Sequence, residues 1–186
     1  SETIMELASG QLMEYYTSFD ASQARDIYQD RIYRKTASLF RTASESGAVL
    51  GEAPENEVEA LREYGYNIGM AFQVRDDLLD FQGEVSNLGK PVGNDLLNGV
   101  LTLPTIMLME RYPNDDLVQS LFKDRTNDRK LQKVVDVIND STILPDCEHV
   151  VQDYSDKARQ ALLTLPDCAA KRSLIDLSDY IIARRS

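Results

Sequence analysis

Apolar residues recur along most of the chain at intervals of three and four, the spacing that places them on one face of a helix. Met5, Ala8 and Leu12 form the first such stripe, and they predict a helix over residues 2–17. No stretch alternates apolar and polar residues strongly enough to predict a strand. We therefore expect an all-α fold.

Turn-forming residues divide the rest of the pattern into further helices. A second helical segment is expected to start at an N-cap within Asp20–Ser22, to break near Arg31 and to end at Leu50. Glycines and a proline predict a loop over residues 83–97. The other expected helices cover residues 55–81, a segment capped near Thr102 with Pro104 in its first turn, and residues 115–122, 128–139, 146–163 and 167–183.

Composition limits the possible functions. The chain has 186 residues, 42% of them hydrophobic, so one domain can bury a continuous core. A net charge of -11 opposes binding to nucleic acid or to an anionic membrane. The longest apolar run, residues 100–109, is too short to cross a bilayer, and no signal peptide opens the chain, so we expect a cytoplasmic protein. Two cysteines and one histidine favour neither a disulfide scaffold nor a His-rich zinc site.

Carboxylates and a few cations must therefore carry any chemistry, and the most informative acidic segment lies near the end of the helix expected at 55–81. On a helical wheel Asp76, Asp77, Asp80 and Gln73 share one quadrant, and apolar residues flank it on both sides. Burying three carboxylates is costly unless a cation compensates. Oxygen-only ligands with a nearby anion favour Mg²⁺, and such a site would recognise a diphosphate. We expect a magnesium site here, the alternative being a solvated acidic turn.

The first hundred residues contain only two lysines, and both accompany this segment. Lys35 is followed by Thr36, and Lys90 lies in a glycine-rich stretch shortly after the acidic turn. Lysines contact phosphate oxygens as point charges, although each of these two, taken alone, is also compatible with a surface position.

Two glycines interrupt the same helix. Gly65 and Gly69 each cost roughly 1 kcal/mol of helix stability relative to alanine. Glycines inside a helix usually admit something close to the backbone, so a ligand or a neighbouring helix is expected there.

Three stretches of the sequence, taken together, resemble the trans-polyprenyl diphosphate synthase family. They are Lys35-Thr36-Ala-Ser-Leu-Phe40 with its continuation Gly47-Ala-Val-Leu-Gly51, then Phe72-Gln73-Val-Arg-Asp76-Asp77-Leu-Leu-Asp80, and finally Gly89-Lys90-Pro-Val-Gly93-Asn-Asp95-Leu with Leu101-Thr102-Leu-Pro104. Their order and spacing fit the family across residues 1–112. The joint match is specific, whereas the DDxxD pattern alone would be a weak signal.

The resemblance implies a helical bundle of the isoprenoid-synthase type and the head-to-tail condensation of an allylic diphosphate with isopentenyl diphosphate. It implies that Asp76, Asp77 and Asp80 hold Mg²⁺, with Asp76 the leading candidate for a direct ligand. The residues implied to contact the allylic substrate are Lys35, Thr36, Gln73 and Lys90, of which Lys35 and Lys90 act with Asp76 in catalysis. Metal and lysines would stabilise the departing diphosphate and leave an allylic cation for attack by the second substrate.

Several family features do not occur in this sequence. The first aspartate-rich motif and the earlier Gly-Lys-Arg segment are absent, and residues 114–118 lack the required third aspartate. Val100 stands where many members have lysine. We interpret residues 1–186 as the C-terminal portion of one synthase domain, beginning at Ser1 inside a longer sequence. The bundle is then incomplete at its N-terminus, and the isolated chain is expected to be almost inactive.

Other functions and assemblies stay open. The chain could be a regulatory or scaffolding subunit that dimerises with a catalytic homologue, but a pure scaffold has no use for buried carboxylates. A terpene cyclase is a third possibility, disfavoured by Lys35 and the Gly89-Lys90 pair. We expect a homo-oligomer, or a heteromer with an N-terminal portion or a homologous subunit, because a truncated bundle exposes apolar helix faces.

The C-terminal third offers few further candidates. Arg184 and Arg185 could cover a diphosphate or cap the last helix, and we favour the cap. Cys147, His149 and Cys168 lack metal-ligand spacing, so we expect structural or surface roles for them.

Overall fold

The structure, a computed structural model, describes residues 2–82, 92–124 and 127–184, and every regular element in these ranges is helical. The all-α prediction is confirmed. The helices are α1 (Glu2–Thr17), α2 (Arg25–Ile32), α3 (Ser38–Leu50), α4 (Glu55–Gln82), α5 (Asn94–Leu97), α6 (Leu103–Arg111), α7 (Leu117–Lys123), α8 (Asp128–Asn139), α9 (Ile143–Ala161) and α10 (Ala169–Ala183), with a π-helical turn over Tyr33–Ala37 and a 3-10 turn over Leu162–Thr164. None of the described helices combines the length and apolar content that crossing a bilayer requires.

Helix α4 is the centre of the bundle. Of its 28 residues, 15 are buried, and it packs most extensively against α3 and α9. Tyr64, Ile68 and Leu78 are almost completely inaccessible and belong to the main hydrophobic core. A helix with so many buried residues owes its position to packing on several faces rather than to one apolar stripe. The core therefore fixes the place of the acidic segment at the C-terminal end of α4.

The glycines of α4 allow α3 to approach at backbone distance. A Cβ atom on Gly65 would lie 2.6 Å from the carbonyl oxygen of Phe40, and one on Gly69 would lie 2.6 Å from the Cα of Ala37. Main-chain atoms of a packed helix cannot move aside as a flexible side chain can. Of the two interpretations left open by the sequence, the structure therefore contains the neighbouring helix.

Most predicted boundaries agree with the structure. The first helix and the helix at 128–139 end where the spacing predicts, and α4 is one residue longer than predicted. The break expected near Arg31 is the π-helical turn that follows α2. Thr102 is the N-cap residue of α6, although its side chain makes no capping hydrogen bond.

Other boundaries were wrong for identifiable reasons. The N-cap expected within Asp20–Ser22 is not one, because the Asp20 carboxylate accepts hydrogen bonds from the backbone N–H and the hydroxyl of Ser22, and the helix begins only at Arg25. Helix α9 begins three residues early because Pro145 is tolerated in a first turn. Within the expected loop, the last four residues form α5, and residues 83–91 lie outside the described ranges.

The close packing of α3 and α4 gives a testable prediction. Gly65→Ala should lower the free energy of unfolding by about 1–3 kcal/mol, because the clash with Phe40 and Arg41 outweighs the gain in helix propensity. Gly47→Ala is the matched control in α3, since a Cβ there meets nothing within 4 Å. It should raise the same free energy by up to about 1 kcal/mol. Urea denaturation followed by circular dichroism measures both, and a stabilised Gly65→Ala variant would contradict the packing.

Candidate active site

A chain of hydrogen bonds joins three elements at the end of α4. The hydroxyl of Tyr28 in α2 donates to Oδ2 of Asp77 at 2.6 Å, and the side-chain amide of Gln73 donates to Oδ1 at 2.9 Å. The hydroxyl of Thr36, in the π-helical turn, donates to Oε1 of Gln73 at 2.6 Å. The structure thus brings together three of the residues that the sequence predicts for the site: Thr36, Gln73 and Asp77.

Asp77 is a deeply buried carboxyl group, with only 3% of the residue exposed. The pKa of Asp77 is raised to about 7: burial is the largest cause, the hydrogen bonds from Tyr28 and Gln73 oppose it, and the nearby charge of Asp95 adds to it. Burial and the neighbouring carboxylate also raise the pKa of Tyr28 well above its usual range, so its hydroxyl remains a donor. Because protein donors engage both oxygens of Asp77, its geometry is that of a buried hydrogen-bond acceptor.

Asp76 points to a different neighbour, the C-terminal end of the described chain. Its Oδ1 lies 3.2 Å from Nη2 of Arg184, the residue that follows α10. The same guanidinium lies over the ring of Phe72, with the carbon 5.2 Å from the ring centroid. The backbone carbonyl of Arg184 accepts a hydrogen bond from Nε of Arg75 at 2.7 Å. The tail arginine, expected to cap a helix, therefore reaches the leading metal-ligand candidate.

Asp80 links α4 to the short helix α5. Its two carboxylate oxygens accept hydrogen bonds from the backbone N–H groups of Asn94 and Asp95, each at 3.1 Å. Gly93, which precedes them with φ of 74°, donates its own N–H to the Asp80 carbonyl at 2.9 Å. Asp80 thereby holds Asp95 near the end of α4.

The expected single buried acidic face is not present in the described residues. Asp77 is buried, Asp80 is half-buried and the Asp76 side chain is 48% exposed. Adjacent helical residues point about 100° apart, so Asp76 and Asp77 meet different surroundings. In the ranges that the structure describes, no three acidic, histidine or cysteine side chains are arranged to hold one metal ion. The three aspartates therefore do not form one ligand set in this conformation.

Lys35 lies on the π-helical turn and is already paired. Its Nζ donates to both carboxylate oxygens of Glu14 in α1, each at 2.7 Å. One turn earlier in α1, a Cβ on Gly10 would lie 2.5 Å from the backbone nitrogen of Lys35, so α1 crosses this turn at backbone distance. Single π-helical turns occur frequently at functional sites. The other predicted lysine, Lys90, lies outside the described residues.

The surrounding charges favour a cation at this site. Burial raises the pKa of Asp95, the negative charges of Glu14 and Asp76 raise it further, and Lys35 and Arg31 lower it. These acids therefore act on one another across the site, and the Arg184 guanidinium stands where a cation would neutralise Asp76. Mg²⁺ typically binds one or two carboxylates and keeps several waters. Among the described acids, Asp76 is the exposed carboxylate that could contribute a ligand to such an ion.

Sequence reasoning missed four residues of this site. Glu14 and Tyr28 bind Lys35 and Asp77 respectively, and neither belongs to a motif or stripe that marks it in the sequence. Asp95 lay inside a matched motif without an assigned role. Arg31 is 2% exposed and donates to Gln23 and to a backbone carbonyl.

Comparison with known proteins identifies the family of this chain. The sequence profile of the polyprenyl synthetase family matches residues 1–138. A prenyl transferase of Synechocystis is 32% identical over 184 residues, covering 99% of this chain and 56% of its own length. Component 2 of the heptaprenyl diphosphate synthase of Bacillus subtilis is 34% identical over 185 residues, covering 100% and 53%. This chain belongs to the polyprenyl synthetase family.

Solved structures resemble it along its whole length. Heptaprenyl diphosphate synthase from Staphylococcus aureus superposes with a TM-score of 0.95 at 33% identity, covering 100% of this chain and 58% of that one. A polyprenyl synthase from Caulobacter crescentus, complexed with calcium and isoprenyl diphosphate, gives a TM-score of 0.90 at 32% identity, covering 100% and 57%. The fold is that of the helical isoprenoid synthases, and the chain spans about half the length of the curated relatives it matches.

The buried network yields a second prediction. Tyr28→Phe removes a donor from a buried carboxylate and should lower the free energy of unfolding by about 1–3 kcal/mol at a pH above the Asp77 pKa. Tyr180→Phe, at a position 63% exposed in α10, is the control and should have almost no effect. Urea denaturation compares the two, and equal stability of both variants would show that the Tyr28 bond contributes nothing.

Proposed function

We propose that this chain is the C-terminal part of a polyprenyl diphosphate synthase that condenses an allylic diphosphate with isopentenyl diphosphate. The observation that carries the proposal is the convergence of Thr36, Gln73 and Asp77 in one hydrogen-bonded chain, with Lys35 on the same π-helical turn as Thr36 and Asp76 beside Asp77. Family membership supports the reaction type. Carboxylates close to a lysine are the arrangement expected where a metal ion bridges the protein and a diphosphate.

In this proposal each side chain has a separate task. Lys35 and Thr36 bind diphosphate oxygens, so Lys35 must exchange its Glu14 partner for the substrate, and the Thr36 hydroxyl must turn its only proton from Gln73 to the substrate. Gln73 holds Thr36 before the substrate binds, and Asp77 orients Gln73 through the buried bond. Asp76 would hold Mg²⁺, with Asp80 and Asp95 adding negative charge and Lys90 a second cation. When bound, the metal would supply charge stabilisation for the departing diphosphate.

The remaining part of the active site is proposed to come from outside these residues. The sequence lacks the first aspartate-rich motif, and the matched relatives are nearly twice as long. Helix α1 has an exposed apolar surface, composed of Ile4, Met5, Leu12, Tyr15 and Tyr16. Such a surface on a helix of this size usually meets a partner. An N-terminal portion or a homologous subunit would cover it, and the Bacillus subtilis relative is itself named as one component of a synthase.

A non-catalytic subunit is the second candidate, and one observation favours it. Three charged groups of the site already have protein partners: Asp76 contacts Arg184, Asp77 contacts Tyr28, and Lys35 contacts Glu14. These contacts can be explained by packing within the protein itself. A scaffold could retain these groups for packing alone, which weakens the argument that buried carboxylates require a catalytic role.

Substitution of Asp76 separates the two candidates. In the assembly completed with the missing portion, Asp76→Ala should lower Mg²⁺-dependent turnover about 100-fold or more, because the metal loses its exposed carboxylate. Asp153→Ala, an exposed position in α9, removes the same charge away from the site and should leave turnover unchanged. Steady-state kinetics with an allylic diphosphate and isopentenyl diphosphate measures both. Full turnover by Asp76→Ala would favour the scaffold.

The isolated chain provides a further check. These 186 residues alone should turn over little or no allylic diphosphate, since half of the metal-binding acids are absent from the sequence. Adding the N-terminal portion of a synthase, as a separate polypeptide or by fusion, should restore product formation. Robust turnover by the purified chain alone would contradict the proposed division of the site.

A further inference from the structure

Arg184 is held at three points around Asp76. Its guanidinium contacts the Asp76 carboxylate at 3.2 Å and lies over the Phe72 ring, while its backbone carbonyl accepts the Nε–H of Arg75. The Arg184 side chain is 23% exposed, less than half the value for Asp76. A long arginine side chain that is packed and paired in this way has given up much of its conformational freedom.

The anchor of this arrangement is buried. Arg75 is 8% exposed, and its Nη1 lies 3.6 Å from a carboxylate oxygen of Glu148 in α9. Arg75 and Asp76 are neighbours on α4, but about 100° apart, so Arg75 can hold the backbone of Arg184 while Asp76 receives its side chain. The end of α10 is thereby fastened to α4 and α9 on one side of the acidic site.

A guanidinium and a divalent cation compete for the same carboxylate. The Arg184 contact occupies Oδ1 of Asp76, and a metal ligand at this position would bring a second positive charge within a few ångströms of the guanidinium. Coulomb repulsion between the guanidinium and a divalent ion on one carboxylate opposes the presence of both at Asp76.

We propose that Arg184 is a positioning residue: it holds the Asp76 carboxylate in place in the absence of metal and is displaced when a divalent cation binds Asp76. The proposal rests on the proposed function for the identity of the metal site. Arg75 and Phe72 determine how tightly Arg184 stays at Asp76, so they also determine the apparent metal affinity of the site. The C-terminal residue of α10 thus contributes to the site through Asp76.

Metal titration of the full 186-residue chain tests the proposal without substrate. Unbound Mn²⁺ is counted by electron paramagnetic resonance while Mn²⁺ is added to the wild type, Arg184→Gln and Arg172→Gln. Arg172 is an exposed arginine of the same helix that forms no ion pair within the described ranges, so it controls for the change in net charge. Arg184→Gln should bind Mn²⁺ about two- to five-fold more tightly, the range of a partly exposed ion pair, and Arg172→Gln should match the wild type.

A variant without any charge change separates displacement from simple repulsion. Phe72→Leu keeps an apolar side chain but removes the ring under the guanidinium, so it should tighten Mn²⁺ binding in the same direction by a smaller factor. Equal Mn²⁺ affinity in wild type and Arg184→Gln would overturn the proposal, as would the absence of Mn²⁺ binding in every variant. Unchanged affinity in Phe72→Leu would also overturn the role given to Phe72.

Nuclear magnetic resonance gives a direct view of the exchange. The side-chain nitrogen signal of Arg184 should shift during a Mg²⁺ titration with the same midpoint as metal binding, and an unshifted signal at Mg²⁺ saturation would overturn displacement. Turnover by the completed assembly is measured separately. If Arg184→Gln binds Mn²⁺ more tightly but the assembly shows no turnover, the synthase function is refuted and the displacement of Arg184 stands. If the assembly turns over normally but Mn²⁺ affinity is unchanged, only the displacement of Arg184 is refuted.

Discussion

The fold is organised around one buried carboxyl group that must find hydrogen-bond donors inside the bundle. Asp77 lies on the central helix α4, where an unpaired carboxylate would cost several kcal/mol. Tyr28 and Gln73 satisfy it from different directions, one from α2 and one from the preceding turn of α4. Because the Tyr28 bond spans 49 positions of the sequence, it can form only when α2 is packed against α4. The same contact completes the core and orders the polar groups at its edge.

The distance between the π-helical turn and α4 decides whether the polar network can form. Gly69 lies one turn before Gln73, and it contacts Ala37, the residue next to Thr36. Thr36 has a short side chain, so its hydroxyl reaches Gln73 only because the two backbones approach each other closely. Small residues in the core thus determine the geometry of the polar groups beyond it. Any side chain that separated the helices would lengthen this hydrogen bond before it exposed apolar surface.

Spacing along the sequence predicted the helices and the position of the acidic segment, but not the surroundings of each acid. A helical wheel gives the direction of a side chain relative to its own axis, and α4 followed that pattern. The wheel does not identify the distant residue that the side chain contacts. Tyr28 reaches Asp77 and Arg184 reaches Asp76 through packing that no local pattern encodes. For the same reason, three acids in one quadrant have three different degrees of burial.

Helix α1 connects the outside of the bundle to the lysine of the site. Gly10 and Glu14 lie one turn apart on it, the first against the backbone of Lys35 and the second on its ammonium group. Exposed apolar residues such as Tyr15 and Tyr16 belong to the same 16-residue helix. A partner bound to this outer surface would contact the same helix that holds Lys35 through Glu14. Glu14 therefore connects the outer surface of α1 to the ammonium group of the site.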